Sequence, residues 1–162
     1  MAITKILYRN GGLRQAIDYI TNPAKTNEQL LTDYVRCNPG YAAQQMMDTK
    51  RALGKIAGRQ CYHIIQSFKP DEITPELAHE IARQFAAEHL PGYEAVIATH
   101  VDKAHIHSHI VFNSVNAVTG KMYHSTRENY YRQIRGVSDW LCKAHGLSII
   151  LESDEKKAVS YA

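Results

Sequence analysis

Four of the nine histidines in this 162-residue chain fall within ten positions: His100, His105, His107 and His109. Neutral imidazole is a good ligand for divalent metals and a good proton carrier near neutral pH. The last three histidines occupy alternate residues just ahead of the apolar run Ile110-Val111-Phe112, and alternation in a β-branched run predicts a strand. Residues two apart on a strand share a face, with Cα atoms roughly 6 to 7 Å apart, so His107 and His109 could reach one ion. His100 closes the run Glu94–Thr99, and the short segment Val101–Ala104 could turn the chain back to set it beside that pair. Structural zinc sites usually have four protein ligands, commonly including cysteine, and Cys37, Cys61 and Cys142 all lie far from the cluster in sequence. The pattern therefore points to an open, catalytic coordination sphere. His63, His79, His89 and His145 read as surface or satisfied core residues.

Those histidines need a scaffold, and the rest of the chain predicts one. Strands are expected over Ile3–Tyr8, Leu30–Cys37, Gln60–Phe68, Tyr93–His100 and His105–Asn113, with a further short one over Leu147–Leu151. Helical spacing covers Leu13–Ile20, stopped by Asn22-Pro23, and Tyr41–Ala57. Thr74-Pro75-Glu76 combines an N-cap, a first-turn proline and an acidic first turn, opening a helix to His89. Ser125-Thr-Arg-Glu128 reads as a capping box for a long helix to His145, closed by Gly146. The connection between the two histidine strands is too short for a parallel crossover, so they must form a hairpin. An α+β fold follows, with a mainly antiparallel central sheet of about five strands covered by helices.

Composition sets the outer bounds. Length suits one domain, expected over residues 1–151, with a polar tail over 152–162. Three scattered cysteines without a Cys-x-x-Cys spacing indicate neither a disulfide framework nor a zinc ribbon. No apolar stretch is long enough to insert into a membrane, and the N-terminus lacks the apolar core of a signal peptide, so a cytoplasmic protein is expected. The net charge of +3 is a weak electrostatic footprint, but Lys50, Arg51, Lys55 and Arg59 cluster locally, as do Arg127, Arg132 and Arg135.

Three segments resemble the MobA/VirD-like (MOBP-type) conjugative relaxases, or mobilisation nucleases, which are HUH endonucleases with an RRM/ferredoxin-like core. His100, Asp102, His107, His109 and Asn113 match the metal motif H-x-D-x-x-x-x-H-x-H with its trailing asparagine. Here Ser108 replaces the hydrophobic middle residue; His105-Ile106-His107 satisfies that signature literally, whereas His107 and His109 keep the spacing to His100 and Asn113. Leu13–Asn22 is similar to the motif whose helix carries the nucleophilic tyrosine, which points to Tyr19. Tyr62–Phe68 is similar to the strand whose serine lies near the scissile phosphate, which points to Ser67.

The resemblance implies nicking and rejoining of single-stranded DNA at an origin of transfer through a 5′-phosphotyrosine. A phenolate serves as both nucleophile and leaving group, so the strand can be resealed without external energy. Free tyrosine, with pKa about 10, is almost wholly protonated at neutral pH, so a base or a neighbouring cation must assist. His100, His107 and His109 are the expected metal ligands, and Asp102 is expected as base or as the partner orienting a ligand. Ser67, His105, Asn113 and Arg14 are expected at the DNA. Mn or Mg is the expected ion, with Zn, Ni and Co fitting all-imidazole ligation. Implied partners include accessory relaxosome proteins and a coupling protein, and the tail would begin a linker to further C-terminal segments. Tyr130 and Tyr131 are rival nucleophiles. The alternative functions are a nuclease that activates water and a non-catalytic single-strand-binding module.

Overall fold

A computed structural model describes residues 2–26 and 31–149. Strand β1 (Ala2–Arg9) leads through Gly12, which takes the left-handed conformation at φ 68°, into α1 (Leu13–Ile20). Next come β2 (Thr32–Val35), α2 (Ala42–Ala52), β3 (Cys61–Phe68), α3 (Pro75–His89), β4 (Ala95–His100) and β5 (His107–Asn113). The last helical region runs from α4 (Arg127–Asn129) through a π-helical stretch, Tyr130–Arg135, into α5 (Gly136–Ala144). The five strands form one wholly antiparallel sheet in the order β1-β3-β5-β4-β2, the α+β architecture the sequence predicts.

Helices cover both faces, which is why every residue of β4 and all but one of β3 are buried. On one face Ile64, Phe68, Ile97, Ile110 and Phe112 pack with α3 and α5 through Ile81, Phe85 and Leu141. On the other, Val96, Ala98 and Val111 pack with α1 and α2 through Leu13, Ile17, Ile20 and Met46. An eight-residue helix is marginal by itself in water. Burial therefore holds α1: Leu13, Ala16, Ile17 and Ile20 fall at i, i+3, i+4 and i+7, and each large apolar side chain contributes roughly 1.5–3 kcal/mol. Tyr19 lies off that buried stripe.

Several expected boundaries shift. The second helix stops at Ala52 rather than Ala57, because Leu53 caps it and Gly54 turns the chain at φ 67°. The cap of the last helical region is Thr126, whose Oγ1 accepts from the Asn129 amide at 3.0 Å, while Glu128 pairs instead with Arg132 at 3.2 Å. Residues 147–149 form no strand, and 150–162 lie outside the described residues, as does the tail assigned to 152–162. All three cysteines are free and buried. No helix among the described residues is long and apolar enough to cross a membrane.

Candidate active site

The β4–β5 hairpin forms as expected, with His100 directly opposite His107 and Ala98 opposite His109. The strand period then aims His100, His107 and His109 at the α1 face. The rings of His100 and His109 lie 4.0 Å apart between centroids, and those of His107 and His109 stack at 6.2 Å. His105 precedes the strand, with its ring 6.3 Å from that of His107. Strand phase thus favours the His107/His109 register over His105/His107.

Each of the three rings has one nitrogen engaged by the protein. His100 donates from Nε2 to the Ile20 carbonyl oxygen at 2.9 Å, tying the histidine to the last turn of α1. His109 Nδ1 lies 2.8 Å from His63 Nε2, and His107 Nδ1 lies 3.4 Å from Ser67 Oγ. Such partners characteristically fix tautomer and ring orientation in metal-ligating histidines. Burial pushes the pKa of all three below the usual histidine range, and in His109 and His107 neighbouring imidazoles add to it. They are therefore neutral, the form in which imidazole binds an ion. In kind and number the donors fit an open three-histidine site. As the side chains stand, no group of three or more His, Cys, Asp or Glu residues among the described ones converges on a single ion.

Tyr19 is half exposed, and its ring stands edge-on to His100 and His109 at centroid distances of 5.8 and 6.1 Å. Lys25 places its ammonium 5.1 Å from the Tyr19 ring centroid and pairs with Asp102 at 3.5 Å. Asp102, expected to orient a histidine, instead pairs with Lys25 and acts on His100 and His107 through its charge, which works to raise their pKa. Tyr130 lies across the sheet from the histidines. Its hydroxyl donates to the Thr4 carbonyl at 2.7 Å, in the core layer packed by α3 and α5.

Ser67 sits opposite His107 on the neighbouring strand, inside the cluster. Asn113 does not join it. The side chain is fully buried and donates to Glu94 Oε1 at 3.0 Å and the Met46 carbonyl at 3.1 Å, while its own oxygen accepts from Lys50, so it is spent within the core rather than offered to DNA. Lys50, read from sequence as part of a basic surface patch, is likewise fully buried. Arg14 is exposed on α1 and pairs with Asp18 at 3.9 Å.

Sequence reasoning missed two members. His63 is not a bland core residue, since it touches His109; being four residues before Ser67, it shares that strand face, which was a usable signal. Lys25 precedes a segment without periodicity, and nothing local points to it. His79, His89 and His145 are satisfied elsewhere, by Asp33 and Thr99, by Tyr123 and by Gln84 respectively.

The family model for the relaxase MobA/VirD2-like nuclease domain matches residues 19–147 of this chain. The chain belongs to the MobA/VirD2-like relaxases. This relaxase is 36% identical over 149 residues to the Rlx protein of Staphylococcus aureus, covering 92% of the chain and 45% of that relative. It is 33% identical over 192 aligned positions to the group II intron-interrupted relaxase LtrB of Lactococcus lactis subsp. cremoris, covering 92% of the chain and 33% of LtrB. The chain thus spans less than half the length of these curated relatives. Among solved structures, the Mn-bound MobM relaxase domain in complex with plasmid pMV158 oriT DNA superposes with a TM-score of 0.63 at 13% identity, covering 97% of this chain and 98% of that one. A chain solved in work on vancomycin resistance transfer in S. aureus gives 0.60 at 12%, covering 92% and 96%. At those identities the likeness concerns the fold.

Proposed function

We propose that this relaxase domain nicks one DNA strand at an origin of transfer, using the Tyr19 hydroxyl as nucleophile, and rejoins strands by the reverse step during mobilisation of a plasmid or integrative element. The observation that carries this reading is the Tyr19 ring standing beside both His100 and His109. In the forward step the phenolic oxygen bonds to phosphorus and the bond from phosphorus to the 3′ oxygen breaks. The phenol's proton is lost to a base, and the departing 3′ oxygen gains one. Lys25 supplies the neighbouring cation that favours the phenolate, and Asp102 acts by holding Lys25 in place.

His100, His107 and His109 would hold a divalent ion, Mn or Mg, in line with the Mn in the MobM complex. Such an ion would polarise a non-bridging phosphate oxygen and stabilise charge building in the transition state. His63, Ile20 and Ser67 orient the three imidazoles. Ser67 and His105, both beside His107, would contact the scissile phosphate, and Arg14 would serve as an outlying phosphate contact. The DNA partner is single-stranded origin DNA, with accessory relaxosome proteins and a coupling protein completing the assembly in the cytoplasm.

The test is incubation with labelled single-stranded oligonucleotides from the element's own transfer region, with Mn or with EDTA, followed by a denaturing gel. Metal-dependent migration of label with protein is the expected result. Cleavage that leaves no protein-bound label would replace transesterification with water attack, and binding without cleavage of the cognate sequence would make the domain a binding module.

A further inference from the structure

A cavity of about 750 Å³ lies at the opposite end of the sheet from the histidines. Six residue steps separate His107 from Asn113 along β5, about 20 Å at ordinary strand rise. The cavity opens beyond Asn113, between the end of α3, the turn held by the Val115–Met122 bridge, and the start of the last helical region. Its volume falls in the range of small-molecule sites.

The lining has a consistent chemistry. Lys55 and Lys121 supply ammonium groups and are exposed at its rim, and no Asp or Glu is among the lining residues. Within the wall, Tyr123 donates its hydroxyl to Asn129 Oδ1 at 3.0 Å and so must accept from His89 Nε2 at 2.7 Å. Burial pushes His89 down to about 4 and keeps it neutral, and this relay puts its proton on Nε2. With Asn129 Oδ1 engaged, its Nδ2 is the group left to donate. Tyr93 and Tyr123, whose rings meet edge to face at 5.9 Å, both line the wall and make part of it aromatic. Cations at the rim, side-chain amides of Asn116, Asn129 and Gln133 in the lining and an aromatic wall match an anionic group attached to a planar ring.

We propose that this cavity binds a nucleotide, with the phosphate at Lys55 and Lys121 and the base against the tyrosines. The nucleotide is either a free mononucleotide or one unit of the DNA strand engaged at the histidines. The second source rests on the function proposed above, and the first is independent of it.

The experiment measures binding of deoxythymidine 5′-monophosphate to the full chain and to its Lys55→Ala/Lys121→Ala variant, with thymidine and inorganic phosphate as controls. Saturable binding of the monophosphate is expected, about tenfold tighter than either control, and weakened at least about tenfold in the variant, with an unchanged thermal midpoint. Oligonucleotides of increasing length then separate the two sources. A strand that enters the cavity gains affinity once long enough to reach it, displaces the monophosphate, and loses that gain in the variant; a free-nucleotide site shows neither effect. Equal monophosphate binding by chain and variant, or none by either, overturns the proposal. Adduct formation at Tyr19, measured in the same preparations, reports separately on the nicking reaction.

Discussion

The two ends of β5 bury polar groups to opposite ends. At Asn113 the side chain satisfies Lys50, Glu94 and the Met46 carbonyl, and Lys50 also donates to Ser114 Oγ at 2.5 Å, so donors and acceptors close on one another. At His107 and His109 each ring is fixed through one nitrogen while the other remains for an ion, with Tyr19 alongside. Burial depresses titration at both ends, holding Lys50 to about 8 and His63 to about 4. A closed network specifies packing, whereas one with oriented lone pairs left over specifies a reaction.

The largest effect should come from Tyr19→Phe, which keeps the ring against His100 and His109 but removes the proposed nucleophile. Adduct yield should drop at least about a thousandfold with oligonucleotide affinity nearly unchanged. Wild-type yield in that variant would move the reaction away from α1. At the closed end, Lys50→Met should cost about 3 kcal/mol in denaturant unfolding, because it strands Asn113 Oδ1 and leaves Glu94 without its nearby cation. An unchanged midpoint would show that the network at Asn113 is not what stabilises that end.

A smaller loss is expected from His63→Leu, about 10- to 100-fold in Mn affinity by titration, with His63→Gln, which can still accept from His109 Nδ1, recovering most of it. If both variants bind Mn as the parent does, His63 has no orienting part. Finally, the metal-free protein should lose stability as pH falls from about 6.5 towards 4. His63 binds a proton readily only when unfolded, so its contribution is fully present above 6.5, and by pH 5 roughly 1 to 2 kcal/mol from this group should be gone, with His89, also held to about 4 by burial, adding a comparable loss. A flat thermal midpoint across that window would contradict the burial of His63 as a neutral group.

Much of this was legible because it is local. Leu13–Ile20 and Pro75–His89 form over the bounds their spacing and caps dictate, and Thr74 Oγ1 accepts from the Leu77 amide at 3.2 Å as its position implies. The histidine hairpin was legible too, because strand alternation and a short connection leave one arrangement. What stayed hidden depends on partners far apart in sequence. His63 and His109 are 46 residues apart and Lys50 and Asn113 are 63 apart, and no periodicity encodes which strand neighbours which. A lysine among Arg51, Lys55 and Arg59 reads as surface until the fold shows its helix turning that one position inward. The shortening of α2 was visible in Gly54, but helix formers on either side outweighed it.

The π-helical stretch Tyr130–Arg135 has a consequence for how this chain can vary. Its hydrogen bonds close rings one residue wider than those of an α-helix, so the region takes in a residue that an uninterrupted helix would not hold. Tyr130 at its start and Leu141 beyond its end nonetheless face the same core. Excising a single exposed position such as Arg132 would therefore convert the stretch to ordinary α-helix and leave both flanks in phase. The segment amounts to a spare link, where the length of the chain can change by one while the sheet beneath it keeps its cover.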